Sequence, residues 1–413
     1  MTEKIETVIV GGGQAGLALS RTLSAAGCEH VVLERGRVAE RWRSERWDSF
    51  RLLTPNWMTR MPGARYAGPD PDGFMNRTEV VSFFDDYARG VPLHSGVSVR
   101  SVECRPGGWQ VRTDSGTIQA QQVVAASGYG TPRIPTVTEV LGIHSAGYRN
   151  PAQLPRGAVL VVGAGPSGQQ IADELATHGR SVYLAVGGHR PLPRRHAGRD
   201  SYYWLDRLGY LDRTVDTLPG SHTYFRAHGP VLAGGDRDLN LRRLAGHGVV
   251  PVGRLVGFDG QRAYFGNDLA DNLATADAHA RRFAERVTDR SRAAGSAVSG
   301  LPVPSESIPH WAIAPPMQLD LRTNGIRTII WATGHPGEWS YLPKSTLDQN
   351  GRPRHRRGVV TNAPGLFVLG LRWQYRRSSH LIDGVGQDAT YLADRIVSTR
   401  RLATNEMPSL VTA

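Results

Sequence analysis

Two short glycine-rich runs carry residue types that bind phosphate. Gly11-Gly12-Gly13-Gln14-Ala15-Gly16 and Gly163-Ala164-Gly165-Pro166-Ser167-Gly168 share the spacing GxGxxG and start 152 residues apart. Glycine at the first position permits a tight turn. At the second it lets the backbone approach a diphosphate, and at the third it lets the following helix lie close on a sheet. A helix that begins in such a loop offers unpaired N–H groups and a partial positive charge to the phosphates. A carboxylate about 20 residues further on accepts hydrogen bonds from ribose hydroxyls. Glu34 stands 18 residues after Gly16, with Arg35 beside it. The matching place after Gly168 is Val186, then Gly187 and Gly188, followed by Arg190, Arg194 and Arg195 instead of an acid. Guanidinium groups there suit a ribose carrying a 2′-phosphate. The same arginines could instead form a solvated basic loop, which equal use of NADH and NADPH would reveal. An acid at the first site and arginines at the second imply FAD and NADP(H).

These residues need elements to hold them. Glu6–Val10 reads as a strand rich in β-branched residues, Gln14–Ala26 has helical apolar spacing, and His30–Glu34 reads as a second strand. The second run has the same setting, with strand Ala158–Val162, helix Gln169–His178 and strand Ser181–Ala185. Between the two units, Phe83–Ala88 reads as a helix. Val97–Cys104, Trp109–Thr113 and Thr117–Gln119 form an antiparallel meander. Gln122–Gly128 and Thr328–Gly334 are similar apolar strands ending in glycine. Residues 267–293 read as a long amphipathic helix, 294–310 as a loop, Gly365–Gly370 as a strand and Gln387–Ser398 as a closing helix.

Composition bounds the answer. At roughly 100–200 residues per domain, a chain of 413 residues holds two or three units, and 40% apolar content excludes disorder. Cys28 and Cys104 form no CxxC pair, so a zinc ribbon, a disulfide scaffold and a dithiol redox centre are excluded, and no metal site is expected. Apolar runs are too short to span a bilayer. With no signal peptide at the N-terminus, a soluble, cytoplasmic protein is expected. The net charge of +12 lies mostly in arginine clusters. No nucleic-acid-binding pattern accompanies them, so phosphorylated cofactors explain the charge better than nucleic acid does.

With both glycine runs in place, the sequence resembles the two-dinucleotide-binding-domain flavoproteins, and more narrowly the class B flavin monooxygenases. That group comprises flavin-containing, Baeyer–Villiger and YUCCA-like enzymes and a bacterial branch labelled with potassium transport. The resemblance spans nearly the whole chain. It is carried by Gly11–Gly16 with Glu34, Glu40-Arg41-Trp42-Arg43 with Trp47-Asp48, His144–Pro151, Gly163–Gly168, Ala332-Thr333-Gly334 and Ile382–Ala389. The fingerprint FxGxxxHxxx[FYW] keeps His144 and Tyr148, while Thr138 and Val140 replace its Phe and Gly. Leu371 after Gly370 breaks the Gly-Asp pair of disulfide reductases. The implied fold is α/β with two Rossmann-like domains of three-layer ββα type. The FAD domain is expected from residues 1–150 and 325–413, with an NADP(H) domain, 151–324, inserted and hinged near Gly128 and Gly334.

The resemblance implies an NADPH-dependent monooxygenase. In such enzymes NADPH reduces FAD, the flavin forms a C4a-(hydro)peroxide with molecular oxygen, and one oxygen atom passes to N, S or C of a small organic substrate or into a ketone. Asn56 is the candidate peroxide-stabilising residue, and Trp42 and Arg43 are candidates to face the flavin. His144 is a candidate coenzyme-orienting or hinge residue. Val99, Asp383, Val385, Gly386 and Gln387 join the glycine-run residues, Gly128 and Gly334 as cofactor candidates, with a helix after Gln387 aimed at the flavin pyrimidine. Loops 50–76, 200–240 and 372–383 are expected to line the substrate pocket. Tyr202-Tyr203-Trp204 and Tyr224-Phe225 hint at a bulky or aromatic substrate. A homodimer is compatible with the sequence, which leaves oligomeric state open. The alternatives are a flavin oxidase or reductase that makes H2O2, and a non-catalytic FAD/NADP sensor.

Overall fold

The computed structural model describes residues 3–405 apart from Thr131, Arg133, Thr138, His189 and segments 219–231 and 294–306; the side chains of 400–405 are also left out. Tyr224, Phe225 and the fingerprint position Thr138 therefore lie outside the described residues, as does most of the expected loop 294–310.

Two parallel sheets organise the chain. The first is centred on β1 (Glu3–Val10), flanked by β2 (His30–Glu34), which pairs with β3 (Leu93–Ser95), and by β4 (Thr117–Ala125). Val8 and Ile9 are fully buried, as expected for a strand covered on both faces. The sequence separates Thr117–Gln119 from Gln122–Gly128, but one nine-residue strand joins them. Its first half alternates in burial and pairs antiparallel with Gly108–Thr113. Its second half is buried on both faces, and the strand pairs parallel with β1 along nearly its whole length.

The second sheet has five strands. In chain order they are β5 (Leu141–His144), β6 (Ala158–Val162), β7 (Val182–Ala185), β8 (Val250–Val252) and β9 (Ile326–Trp331). Across the sheet the order is β8-β7-β6-β9-β5, all parallel. β5 and β9 thus belong here, although boundaries at 150 and 325 would leave residues 141–144 on the other side and cut just ahead of β9. Their apolar residues complete the sheet beside β6. The chain changes sheet after Ala125 and again after Trp331, close to Gly128 and Gly334. There Tyr129 bridges Gly337, and the Gly130 N–H donates to the Pro336 carbonyl at 2.7 Å. β10 (Leu366–Val368) then returns to the first sheet beside β4.

Helices fill the layers: α1 (Gln14–Ala25), α2 (Arg77–Tyr87), α3 (Pro166–Thr177), α4 (Ser201–Arg207), α5 (Leu241–Gly246), α6 (Leu269–Ala293) and α7 (Ile382–Asn405). α6 follows the amphipathic expectation, with Leu273, Ala276, Phe283 and Val287 among its buried residues. α7 corrects the expected closing helix. It begins at Ile382, so Gly384–Gln387 lie within its first turns instead of preceding it. Those glycines serve close packing: a Cβ on Gly384 would overlap the Ser378 carbonyl, and one on Gly386 would meet Pro62 at 3.0 Å.

Candidate functional site

The two glycine runs fold into near-duplicate cradles. A Cβ on Gly11 would stand 2.5 Å from the Ala126 carbonyl oxygen, and one on Gly163 would stand 2.6 Å from that of Ala332. A Cβ on Gly16 would overlap the Gly11 carbonyl, and one on Gly168 that of Gly163. In both units the loop is therefore pressed onto the end of the neighbouring strand, and Gly11 and Gly163 adopt positive φ. Gly13 and Gly165 differ, because a Cβ there would meet no protein atom within 4 Å.

The helix starts confirm the contrast. Neither Gly13 before α1 nor Gly165 before α3 gives a side-chain cap, and neither helix has an acid in its first turn. Pro166 occupies the first helical position, and Ser167 follows it in the first turn. Three helices without this motif are capped from side chains: Asn76 and Glu79 form a capping box on α2, Asp200 caps α4 and Asn240 caps α5. The open N–H groups of α1 and α3 are the partners that a diphosphate needs.

Glu34 completes the first cradle. Its carboxylate accepts the Gly12 N–H at 2.7 Å and the Gly36 N–H at 2.8 Å. Each oxygen keeps lone-pair capacity for ribose hydroxyls. Gln14 donates through Nε2 to the His380 carbonyl at 2.8 Å, and Gly370 packs against Ala15, so the approach to α7 is fastened to the start of α1. The His380 imidazole is held neutral, lowered to about 3 by burial and then by Arg377 and Arg372. Enclosed polar atoms without partners gather in this stretch, including Trp373 Nε1 and His380 Nδ1. Glycine clearance, open N–H groups, a pre-oriented carboxylate and these orphaned atoms fit a flavin dinucleotide.

The other candidates have varied surroundings. Asn56 is buried. It donates through Nδ2 to the Asp70 carbonyl at 2.9 Å and accepts the Met75 N–H at 2.8 Å, so its amide staples a loop. Arg43 donates to the Val38 carbonyl and pairs with Asp85. Trp42 packs on Phe50 and Phe84. Val99 packs against the core beneath the first sheet, and Val385 is buried in α7. Gln387 and Arg35 are exposed, and Asp383 is paired with Arg60 at 2.9 Å. His144 ends β5 at the sheet change. It meets the Gly334 carbonyl through Nε2 at 3.1 Å and accepts the Ala146 N–H through Nδ1, with His335 edge-on at 4.8 Å. Burial lowers the pKa of both histidines, His335 to about 4.

At the second cradle Arg194 is almost fully buried. It pairs with Asp200 at 2.7 Å and donates to the Leu53 and Gly234 carbonyls at 2.8 and 3.0 Å, a staple between the two units. Arg195 is exposed in a short hairpin, and Arg190 acts on His279 of α6 through its charge. Residues that the 18-residue rule misses are Gly12 and Gly36, which hold Glu34, and Arg254, whose guanidinium lies over Gly187. The three suggested pocket loops do converge. Met58, Leu192, Leu205, Leu211 and Leu232 cluster with Trp57, Tyr202, Trp204 and Leu381, and residues 211–215 bond to 375–378.

Among the described residues no helix is long and apolar enough to cross a membrane. The family model described as pyridine nucleotide-disulphide oxidoreductase matches residues 8–206. A CzcO-like oxidoreductase of Geobacillus kaustophilus (strain HTA426), described as uncharacterized, is 30% identical over 409 residues, covering 96% of this chain and 100% of that protein. Indole-3-pyruvate monooxygenase YUCCA1 of Oryza sativa subsp. japonica is 30% identical over 208 residues, 47% of this chain and 51% of that one. The structure of a flavin monooxygenase variant from Stenotrophomonas maltophilia superposes with a TM-score of 0.67 at 18% identity, covering 96% of this chain and 99% of the other. The chain belongs to the CzcO-like oxidoreductases, and its fold is that of the flavin monooxygenases.

Proposed function

We propose that this chain is an NADPH-dependent FAD monooxygenase that inserts one atom of molecular oxygen into a small organic substrate. The observation that carries the reading is the pair of uncapped glycine cradles, one closed by a carboxylate at the ribose position and the other lacking it. Bound FAD, reduced by NADPH, supplies the oxygen activation and transfer. The protein supplies everything else. Glu34, fixed by two backbone N–H groups, accepts from the ribose of FAD, and the open N–H groups of α1 hold its diphosphate. The start of α3 holds the diphosphate of the coenzyme. The N-terminus of α7, tied to Gln14 through His380, would favour negative charge on a flavin ring held beside it. The cluster around Met58 and Leu211 supplies an apolar wall that suits a bulky or aromatic substrate, and His144 holds the crossing between the sheets in register.

Purified protein should be yellow, and anaerobic NADPH should bleach it. In air, sulfides, amines, phenols and ketones should be scanned, scoring oxygenated product against H2O2 per NADPH. A protein that stays colourless in excess FAD refutes the reading. Bleaching with complete conversion to peroxide makes it an oxidase, and bound flavin that never bleaches makes it a sensor.

A further inference from the structure

We propose that coenzyme choice rests on Arg254, acting with Asn272 as a subsite for the 2′-phosphate of an adenosine ribose. The inference depends on the coenzyme reading above and deepens it. Strand register equates the two units: Val10 pairs with Leu33, and Val162 with Ala185, so Val186 occupies the place of Glu34. Beyond it, a Cβ on Gly187 would meet Cζ, Nε and Nη2 of Arg254 at 3.7 Å each. A Cβ on Gly188 would meet Asn272 Oδ1 at 3.9 Å and Arg254 Nη2 at 4.0 Å. A guanidinium thus lies flat over two residues without side chains, where the ribose edge of a dinucleotide must pass.

Arg254 reaches this place from the sheet and not from the loop after β7. It follows β8, the neighbour of β7, by two residues. Its side chain is 65% exposed and pairs only loosely with Asp268, at 3.7 Å. The other oxygen of Asp268 accepts the Arg254 N–H at 2.9 Å, which fixes the main chain and leaves the guanidinium able to turn. Asn272, in the first turn of α6, has an enclosed Nδ2 without a partner. A phosphate dianion there would meet a planar cation, the pairing that guanidinium geometry favours, and Asn272, which turns its Oδ1 toward Gly188, would have to rotate its amide to donate as well. Arg194 is spent on Asp200 and two carbonyls and has no such freedom.

The test titrates adenosine 2′,5′-bisphosphate and 5′-AMP into the holoprotein by calorimetry, in wild type, Arg254→Ala and Arg254→Lys. Wild type should prefer the bisphosphate by about tenfold or more. Arg254→Ala should weaken bisphosphate binding by roughly 10- to 100-fold and leave 5′-AMP unchanged, with Arg254→Lys intermediate. A preference that survives Arg254→Ala overturns the inference and leaves the coenzyme reading intact; no preference in wild type overturns the inference and the choice of NADPH over NADH, while leaving a nicotinamide coenzyme. Failure of both nucleotides to bind removes the coenzyme reading as well. Because Arg254 is exposed, the variants should fold, and unchanged 5′-AMP binding verifies it.

Discussion

Gly13→Ala separates the cradle from the fold. Gly13 has φ −86° and ψ −174°, extended backbone that alanine adopts freely, and its Cβ would touch nothing within 4 Å. Alanine caps a helix less well than glycine, so the apoprotein should lose under about 1 kcal/mol. The methyl group would occupy the space through which a diphosphate approaches the open N–H groups of α1. Losing one charge-assisted bond costs about 1.5–3 kcal/mol, a rise of roughly 10- to 100-fold in the Kd for FAD. Gly16→Ala is the contrast. Its Cβ would overlap the Gly11 carbonyl and lie 3.3 Å from Ile9 Cγ2, so it should destabilise the apoprotein itself by about 1–3 kcal/mol or more. The assay pairs urea unfolding of each apoprotein with fluorescence titration by FAD. An FAD affinity for Gly13→Ala within about twofold of wild type would refute the cradle argument.

Arg194→Ala should cost roughly 3–5 kcal/mol, because it leaves Asp200 unpaired in a buried site, yet it should leave the ratio of NADPH to NADH efficiency unaltered; a changed ratio with normal stability would show that Arg194 reads the coenzyme. His196 is 1% exposed and packs on Phe283, and burial lowers its pKa to about 4 despite nearby Asp238. The unfolded chain therefore binds a proton that the native state refuses. Stability is full above about pH 6.5, falls as pH drops toward 4, and the loss approaches about 3 kcal/mol. His196→Leu should lessen the slope of chemical-denaturation stability between about pH 6.5 and 5 by one histidine's share, and an unchanged slope would count against it.

The dinucleotide units were readable because their determinants are local. A strand, a GxGxxG turn, a helix and Glu34 fall within thirty-two residues, and each residue type acts through its own backbone or its immediate neighbours. The partners of Arg194 were not readable, because they include Leu53 and Gly234, distant in sequence, and a burial that a basic cluster does not announce. Asn56 likewise looks like a polar site residue until both ends of its amide are seen to hold Asp70 and Met75. The start of α7 was hidden because glycine normally marks a break. Here Gly384 and Gly386 are required for close approach to Ser378 and Pro62, and the helix runs through them. Arg254 lies 86 residues after Gly168 and enters only through sheet order, which no spacing rule supplies.

The two passages between the sheets run side by side and are lashed together by the Tyr129–Gly337 bridge and the Gly130–Pro336 hydrogen bond. A cord made of two tied strands bends more readily than it unwinds, so a substitution that cuts the tie is expected to disturb both sheets at once and not only the one it sits in.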